Sequence, residues 1–200
     1  MASSPKDTSA TRHAGHTRDR ILASARRLFS SRGYDHVGTR DIAGDAGVDA
    51  ALVMRYFGGK EQLFREAISG GFRVEEHLPD DLSRLGVFLV EQVLGNKRDA
   101  DDFDALGALL HSASSPTTSA LLAERFNEEF VKPLGKRLGG RDADVRSTLI
   151  ASYIVGLATM RHAFGARALS GAPGKRAGAM AAEAIQACAT PGARKTGAQS

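Results

Sequence analysis

Apolar residues recur along most of this chain at spacings of three and four, and no segment alternates apolar with polar positions. The first pattern marks one face of an α-helix and the second a half-buried strand, so an all-α protein is expected. Between residues 17 and 32, Ile21, Leu22, Ala25, Leu28 and Phe29 form such a face, which Gly33 ends. Three short segments follow. The first opens after Thr39, read as its N-cap, carries Ile42 and Ala43 inward and stops at Gly47, where a positive φ costs little. Asp49 is placed to cap the second, whose inner side holds Leu52, Val53, Tyr56 and Phe57. Lys60 opens the third after Gly58-Gly59, with Leu63, Phe64, Ala67 and Ile68 at helical spacing up to Gly70-Gly71.

Further helices are expected near 80–95, 101–113, 117–139, 142–168 and 174–189, with Pro133 kinking or splitting the third of them. Residues 1–16 and 191–200 carry no periodicity and read as a disordered arm and tail. The expected organisation is an arm (1–16), a three-helix helix-turn-helix domain (17–70), a helical domain (71–190) and the tail (191–200).

Two short helices joined by a glycine turn suit a DNA reader, in which the first braces the second and the second enters the major groove. Small Ala43 and Ala46 let the two approach. The outward residues of the second are Asp49, Ala50, Ala51, Met54 and Arg55. The alanines admit the backbone and can touch thymine methyls, and Arg55 can reach guanine O6/N7 or a phosphate. Thr39, beside Arg40, and Lys60 stand at helix N-termini, where phosphates are favoured.

These residues resemble the TetR family of one-component transcriptional regulators. The resemblance rests on Ile21-Leu22, Leu28-Phe29, Gly33-Tyr34, Thr39, Ile42-Ala43, Ala46-Gly47-Val48, Phe57, Lys60-Glu61 and Leu63-Phe64, over about the first third of the chain. It implies a recognition helix from Asp49 to Phe57, with Thr39, Tyr56 and Lys60 on backbone phosphates. It also implies a dimer on a palindromic operator and a C-terminal part that dimerises and senses a ligand. One departure stands out: Met54 takes the place of a usual tyrosine and Tyr56 that of a frequent histidine. Met54 cannot donate to a phosphate, so that anchoring contact is lost or passes to Arg55.

Within residues 71–190, Phe88, Phe103, Phe126, Phe130, Tyr153 and Phe164 can line an apolar pocket, with His111, Arg161 and His162 as polar anchors for a small apolar or amphipathic effector. Leu149, Tyr153, Gly156, Leu157 and Met160, with Met180 and Ala184 on the alanine-rich last helix, are the expected dimer face. The function expected is a sequence-specific DNA-binding regulator, a repressor released by a small molecule. The alternative is an orphan regulator whose C-terminal part only dimerises.

Charge adds modest support. The net charge is +4, and residues 1–70 carry 11 Lys/Arg against 8 Asp/Glu, so the basic excess falls where a polyanion would be met. The single cysteine, Cys188, allows no intrachain disulfide and suits a reducing cytoplasm. No apolar run nears the roughly 20 residues of a membrane helix. No nucleophile elbow, P-loop, dinucleotide-binding glycine pattern or zinc helix occurs, so neither an enzyme nor a cofactor is expected. The His13/His16 pair stands near no acidic partner but Asp7, and no metal site is expected there.

Overall fold

The computed structural model describes residues 7–73, 78–95, 104–112 and 115–190, with side chains from residue 14 onward. All regular elements among them are helical, and none of these helices is long and apolar enough to cross a membrane. In order they are α1 (Asp7–Arg32), α2 (Thr39–Ala46), α3 (Ala50–Phe57), α4 (Lys60–Ile68), α5 (Leu85–Leu94), α6 (Ala105–Ser112), α7 (Ser119–Phe126), α8 (Lys132–Leu138), α9 (Ala143–Ala158) and α10 (Gly171–Ala189).

Helix α1 starts at Asp7, ten residues before the expected start at Thr17. Once a turn is nucleated, each further residue costs little, so a helix can extend past its apolar stripe where periodicity gives no sign of it. The segment expected at 117–139 is three pieces. Between α7 and α8 lies a π turn, Asn127–Val131, and Pro133 is the second residue of α8. Proline lacks the N–H that would continue the helix and its ring crowds the carbonyl four residues back, which the wider turn accommodates. A second π turn, Thr159–Ala163, ends the helix expected to run to 168.

The chain divides into two compact units: residues up to Gly71 with 101–122, and 72–100 with the residues from Ala123 onward. In the first, Ile21, Ala25, Phe29, Ile42, Val53, Leu63 and Phe64 are fully buried. Phe29, Tyr34 and Phe64 form its aromatic centre, with Phe64 edge-on to both others at 5.0 Å. Helix α6 belongs to this unit and packs on α1. A side chain at Gly33 (φ +76°) would run into the backbone of His111, so glycine is required there on two counts. Ser112 Oγ accepts the Tyr34 N–H at 2.9 Å, and Ser115 Oγ donates to Asp35 at 3.1 Å.

In the second unit α5 lies against α10, with Gly86 facing Ala182 and Val90 and Leu94 facing Gly178, while Leu85, Leu89, Val93, Ile185 and Ala189 are buried in the same unit. The closest approach is at Gly86, where an added Cβ would stand 2.9 Å from the carbonyl carbon of Ala182. Gln186 ties the same place, accepting from Gly86 N at 3.0 Å and donating to Leu82 O at 2.9 Å. Buried Arg146 ties the end of α8, the loop into α9 and the end of α10 by donating to the carbonyls of Gly139, Arg141 (3.1 Å) and Ala189 (3.1 Å).

Candidate nucleic-acid interface

Helices α2 and α3 meet at a left-handed glycine, Gly47 (φ +63°), whose N–H returns to the last turn of α2. The N-cap of α2 is Gly38 rather than Thr39, which becomes its first helical residue. Asp41 takes the capping role from inside the helix, with Oδ2 accepting the Gly38 N–H at 2.7 Å. An acid three residues after a glycine was the sequence signal for this. Asp49 caps α3 as expected, with Oδ1 accepting from Ala51 N at 2.7 Å.

The pair is braced from α1 by arginines. Arg20 donates to the carbonyls of Ala46 and Gly47 (3.4 Å), closing the C-terminal end of α2. Arg27 pairs with Asp45 at 2.6 Å. Arg18 bonds Glu66 and lies 4.8 Å above the Phe57 ring, and Arg26 donates to Ala67 O at 3.2 Å. Arg18 and Arg20 therefore hold α2, α3 and α4 in place. A hydrogen bond from Ser24 and the Arg27 guanidinium keep the Asp45 carboxyl below its ordinary range.

What remains outward on α3 is Ala51, Met54 (57% exposed) and Arg55, with Ala50 and Tyr56 half-buried at the edges. The Arg55 guanidinium stands 6.0 Å from the Tyr56 ring centre. Arg40 is exposed at the start of α2 and Thr39 half-buried beside it. Lys60, half-buried at the start of α4, holds Nζ 4.0 Å above the Tyr34 ring, and its removal from water lowers its pKa. The face offers one guanidinium, a thioether and two methyls to a groove, a combination that can read by one bidentate contact and by shape.

The second unit scatters the residues expected to line a pocket. Phe126 stacks on Phe130 at 5.1 Å and meets Phe72 edge-on at 5.4 Å, so these rings pack against one another. Phe88 is half-buried on α5, His162 is exposed on the second π turn, and His111 belongs to the first unit. Phe164, added to the same set, is exposed. Phe103 lies outside the described residues. Arg161 alone of the set enters the wall of a cavity of about 680 Å³ between α5 and α10, which sequence reasoning did not anticipate. The expected dimer residues cluster better. Leu149 (47% exposed), Tyr153 and Gly156 on α9 and Met160 in the π turn that follows form one outer strip, with Leu157 half-buried at its edge. Met180 (73% exposed) is outward on α10 and Ala184 half-buried.

The fold and the capped, outward α3 define a helix-turn-helix DNA-binding protein. The family described as "Bacterial regulatory proteins, tetR family" matches residues 21–67, and "Tetracyclin repressor-like, C-terminal domain" matches residues 83–188. Among curated proteins, an HTH-type transcriptional regulator of Bacillus subtilis (strain 168), YxaF, is 35% identical over 65 residues, 32% of this chain and 34% of the relative. The match thus spans about a third of that relative's length. A TetR-family regulator from Streptomyces coelicolor A3 is 28% identical, with TM-score 0.51 over 94% of this chain and 99% of its own. A transcriptional regulator from Saccharomonospora viridis in complex with choline gives TM-score 0.58 at 24% identity, over 84% of this chain and 92% of its own. The chain belongs to the TetR family of DNA-binding transcriptional regulators, which are non-enzymatic and form dimers.

Proposed function

We propose that this chain is a cytoplasmic homodimeric repressor that occupies a palindromic operator and leaves it when a small apolar or amphipathic molecule binds its second unit. The observation that carries this reading is α3, capped by Asp49, braced from α1 through its neighbours and left with Arg55, Met54 and Ala51 exposed. Arg55 reads a base, while Thr39, Arg40, Tyr56 and Lys60 position the backbone. The dimer forms through the strip of Leu149, Tyr153, Gly156 and Met160 with Met180, since apolar side chains gathered on one face mark an interaction surface. A two-fold axis there pairs the recognition helices and dictates a palindrome, with half-sites about 34 Å apart or a multiple of it. A fold shared with a regulator that holds choline supports a place for a ligand in this architecture. By linkage, an effector that favours the non-binding dimer weakens operator binding by its differential affinity, about 1–3 kcal/mol.

Selection of bound fragments from a random DNA pool tests the reading. Enrichment of a palindrome with helical-turn spacing, bound by two chains and lost at raised salt, is the expected result. A single asymmetric half-site, or no enrichment, would overturn it.

A further inference from the structure

We infer that the cavity between α5 and α10 is a binding site for a small organic anion, a carboxylate carried on a hydrocarbon body, with Arg161 and Lys175 receiving the charge. This rests on the ligand-responsive reading proposed above and names the ligand class.

Helices α5 and α10 touch through backbone at Gly86 and Ala182 and are still in contact at Gly178, where an added Cβ would meet Val90 and Leu94 at 3.4 Å. Toward the start of α10 a cavity opens beside them, closed at Gly174 by the backbone of Leu169, while at Gly171 nothing lies within 4 Å. The space so opened has a volume of about 680 Å³, within the range of small-molecule sites. Val87, Val90, Leu94 and Leu169 supply its hydrocarbon wall.

Arg161 reaches this space from the π turn that ends α9. Phe164 N–H bonds Thr159 O at 3.1 Å, the five-residue span of such a turn, and Ala166 N–H bonds Met160 O at 2.9 Å. A π turn shifts the register of the side chains that follow it, and such turns recur at functional sites. Arg161 Nη1 donates to Leu94 O, the last carbonyl of α5, which fixes the side chain in the cavity wall. A guanidinium has five N–H donors in a planar fork, so it can serve a helix end and a carboxylate together. Lys175, near the start of α10, brings a second positive charge to the lining.

The charge balance selects the ligand's sign. Among the described residues of the lining, Glu91 is the one acid, against Arg161 and Lys175. Among the described residues of the lining there is no aromatic ring, so these residues do not build the cage that would hold a quaternary ammonium such as choline. An apolar wall under two basic groups fits an aliphatic carboxylate.

The test uses the full-length protein and octanoate, with octylamine and 1-octanol as partners of equal chain length, followed by titration calorimetry. Octanoate should bind once per chain and at least about tenfold more tightly than either partner, the factor expected of a charge-assisted hydrogen bond. Lys175→Gln, an exposed change that leaves the fold intact, should weaken octanoate by about tenfold, and Arg161→Gln by more. Ala179→Phe, placed in the lining, should abolish binding by filling the space. No binding of octanoate, equal binding of octylamine, or affinity unmoved by both Lys175→Gln and Ala179→Phe would each overturn the inference. A parallel operator-release assay separates it from the broader reading. Octanoate bound with the operator retained leaves the cavity assignment standing and removes the release mechanism. Release by another compound, with no octanoate binding, does the reverse.

Discussion

The first unit and the α5–α10 seam of the second are held together by opposite means. In the first, large or charged side chains reach across gaps: the Phe29–Tyr34–Phe64 cluster fills its centre, and Arg18, Arg20, Arg26 and Arg27 clamp α2 and α4 to α1. In the second, the absence of side chains brings backbones together, with Gly86 on α5 against Ala182 on α10 and Gly178 against Val90 and Leu94. The difference teaches where functional freedom lies. A scaffold fixed by specific side chains holds one reading surface in one geometry. A scaffold made by small residues leaves a cavity and an outer apolar strip, whose occupants can vary while the fold stays the same.

The sharpest break of this comparison is to delete atoms in one unit and add them in the other. Phe29→Ala empties the aromatic centre and should cost about 3–5 kcal/mol of unfolding free energy, read by urea denaturation. Gly86→Ala forces a methyl into the carbonyl of Ala182 and should cost about 1–3 kcal/mol, although alanine is the better helix former. As a control, Gly44→Ala, on α2 outside the proposed dimer face and with nothing within 4 Å of its added Cβ, should not lose stability. If Gly86→Ala were as harmless as Gly44→Ala, the view of the second unit as built on close backbone approach would be wrong.

The same contrast explains what the sequence made legible. The first unit could be read because each position demands a residue type: glycine at the left-handed turn of Gly47, an acid at Asp49, an aromatic at Phe57 and Phe64. Thr39 was misplaced by one residue because Gly38 has no side chain to signal a cap, and the acid supplying it stands inside the helix. Helix α6 was expected near 101–113, but its place in the first unit was not legible, because it depends on a contact between Gly33 and His111, far apart in sequence. In the second unit the helices were legible, but of their two π-turn interruptions only the one beside Pro133 was. Pro133 announced a break, but no residue pattern announces a π turn at Thr159. Without that turn, the aromatics were the natural candidates for a pocket, and Phe126 and Phe130 instead stack on each other.

Smaller effects sharpen the account of the reading surface. Arg55→Ala should weaken specific operator binding by about 1–3 kcal/mol and relax the preference at one base position, with thermal stability unchanged. Fluorescence anisotropy against operator and single-base variants checks this, and a uniform loss across all sequences would move Arg55 to the phosphates. Asp49→Ala removes the cap of α3 and should cost about 1 kcal/mol of stability, along with the fixed entry angle of the helix. A loss of DNA affinity beyond that stability change would show that the cap positions the reader.

The smallest effects concern two serines on α1, and they should differ in sign. Ser24 is buried, and its Oγ accepts from Arg27 Nη2 at 3.2 Å while holding the Asp45 carboxyl. Ser30 has a buried Oγ with no hydrogen-bond partner among the described residues. Ser24→Ala should destabilise by about 1 kcal/mol, whereas Ser30→Ala should stabilise by about 0.5–1 kcal/mol, through better helix propensity and removal of a desolvated hydroxyl. Asp45 reports on the first change. Its folded pKa lies below the unfolded value, so its contribution is complete above the unfolded pKa and is lost as pH falls through the folded one. Ser24→Ala removes the largest cause of that depression, so the Asp45 carboxyl, followed by NMR, should titrate nearer its ordinary range. Loss of stability in both variants would mean that Ser30 bonds back to its own helix and is no orphan. The opposed signs would instead show that side-chain bonding reaching from α1 to other helices is what holds the DNA-reading unit together, down to a single hydroxyl.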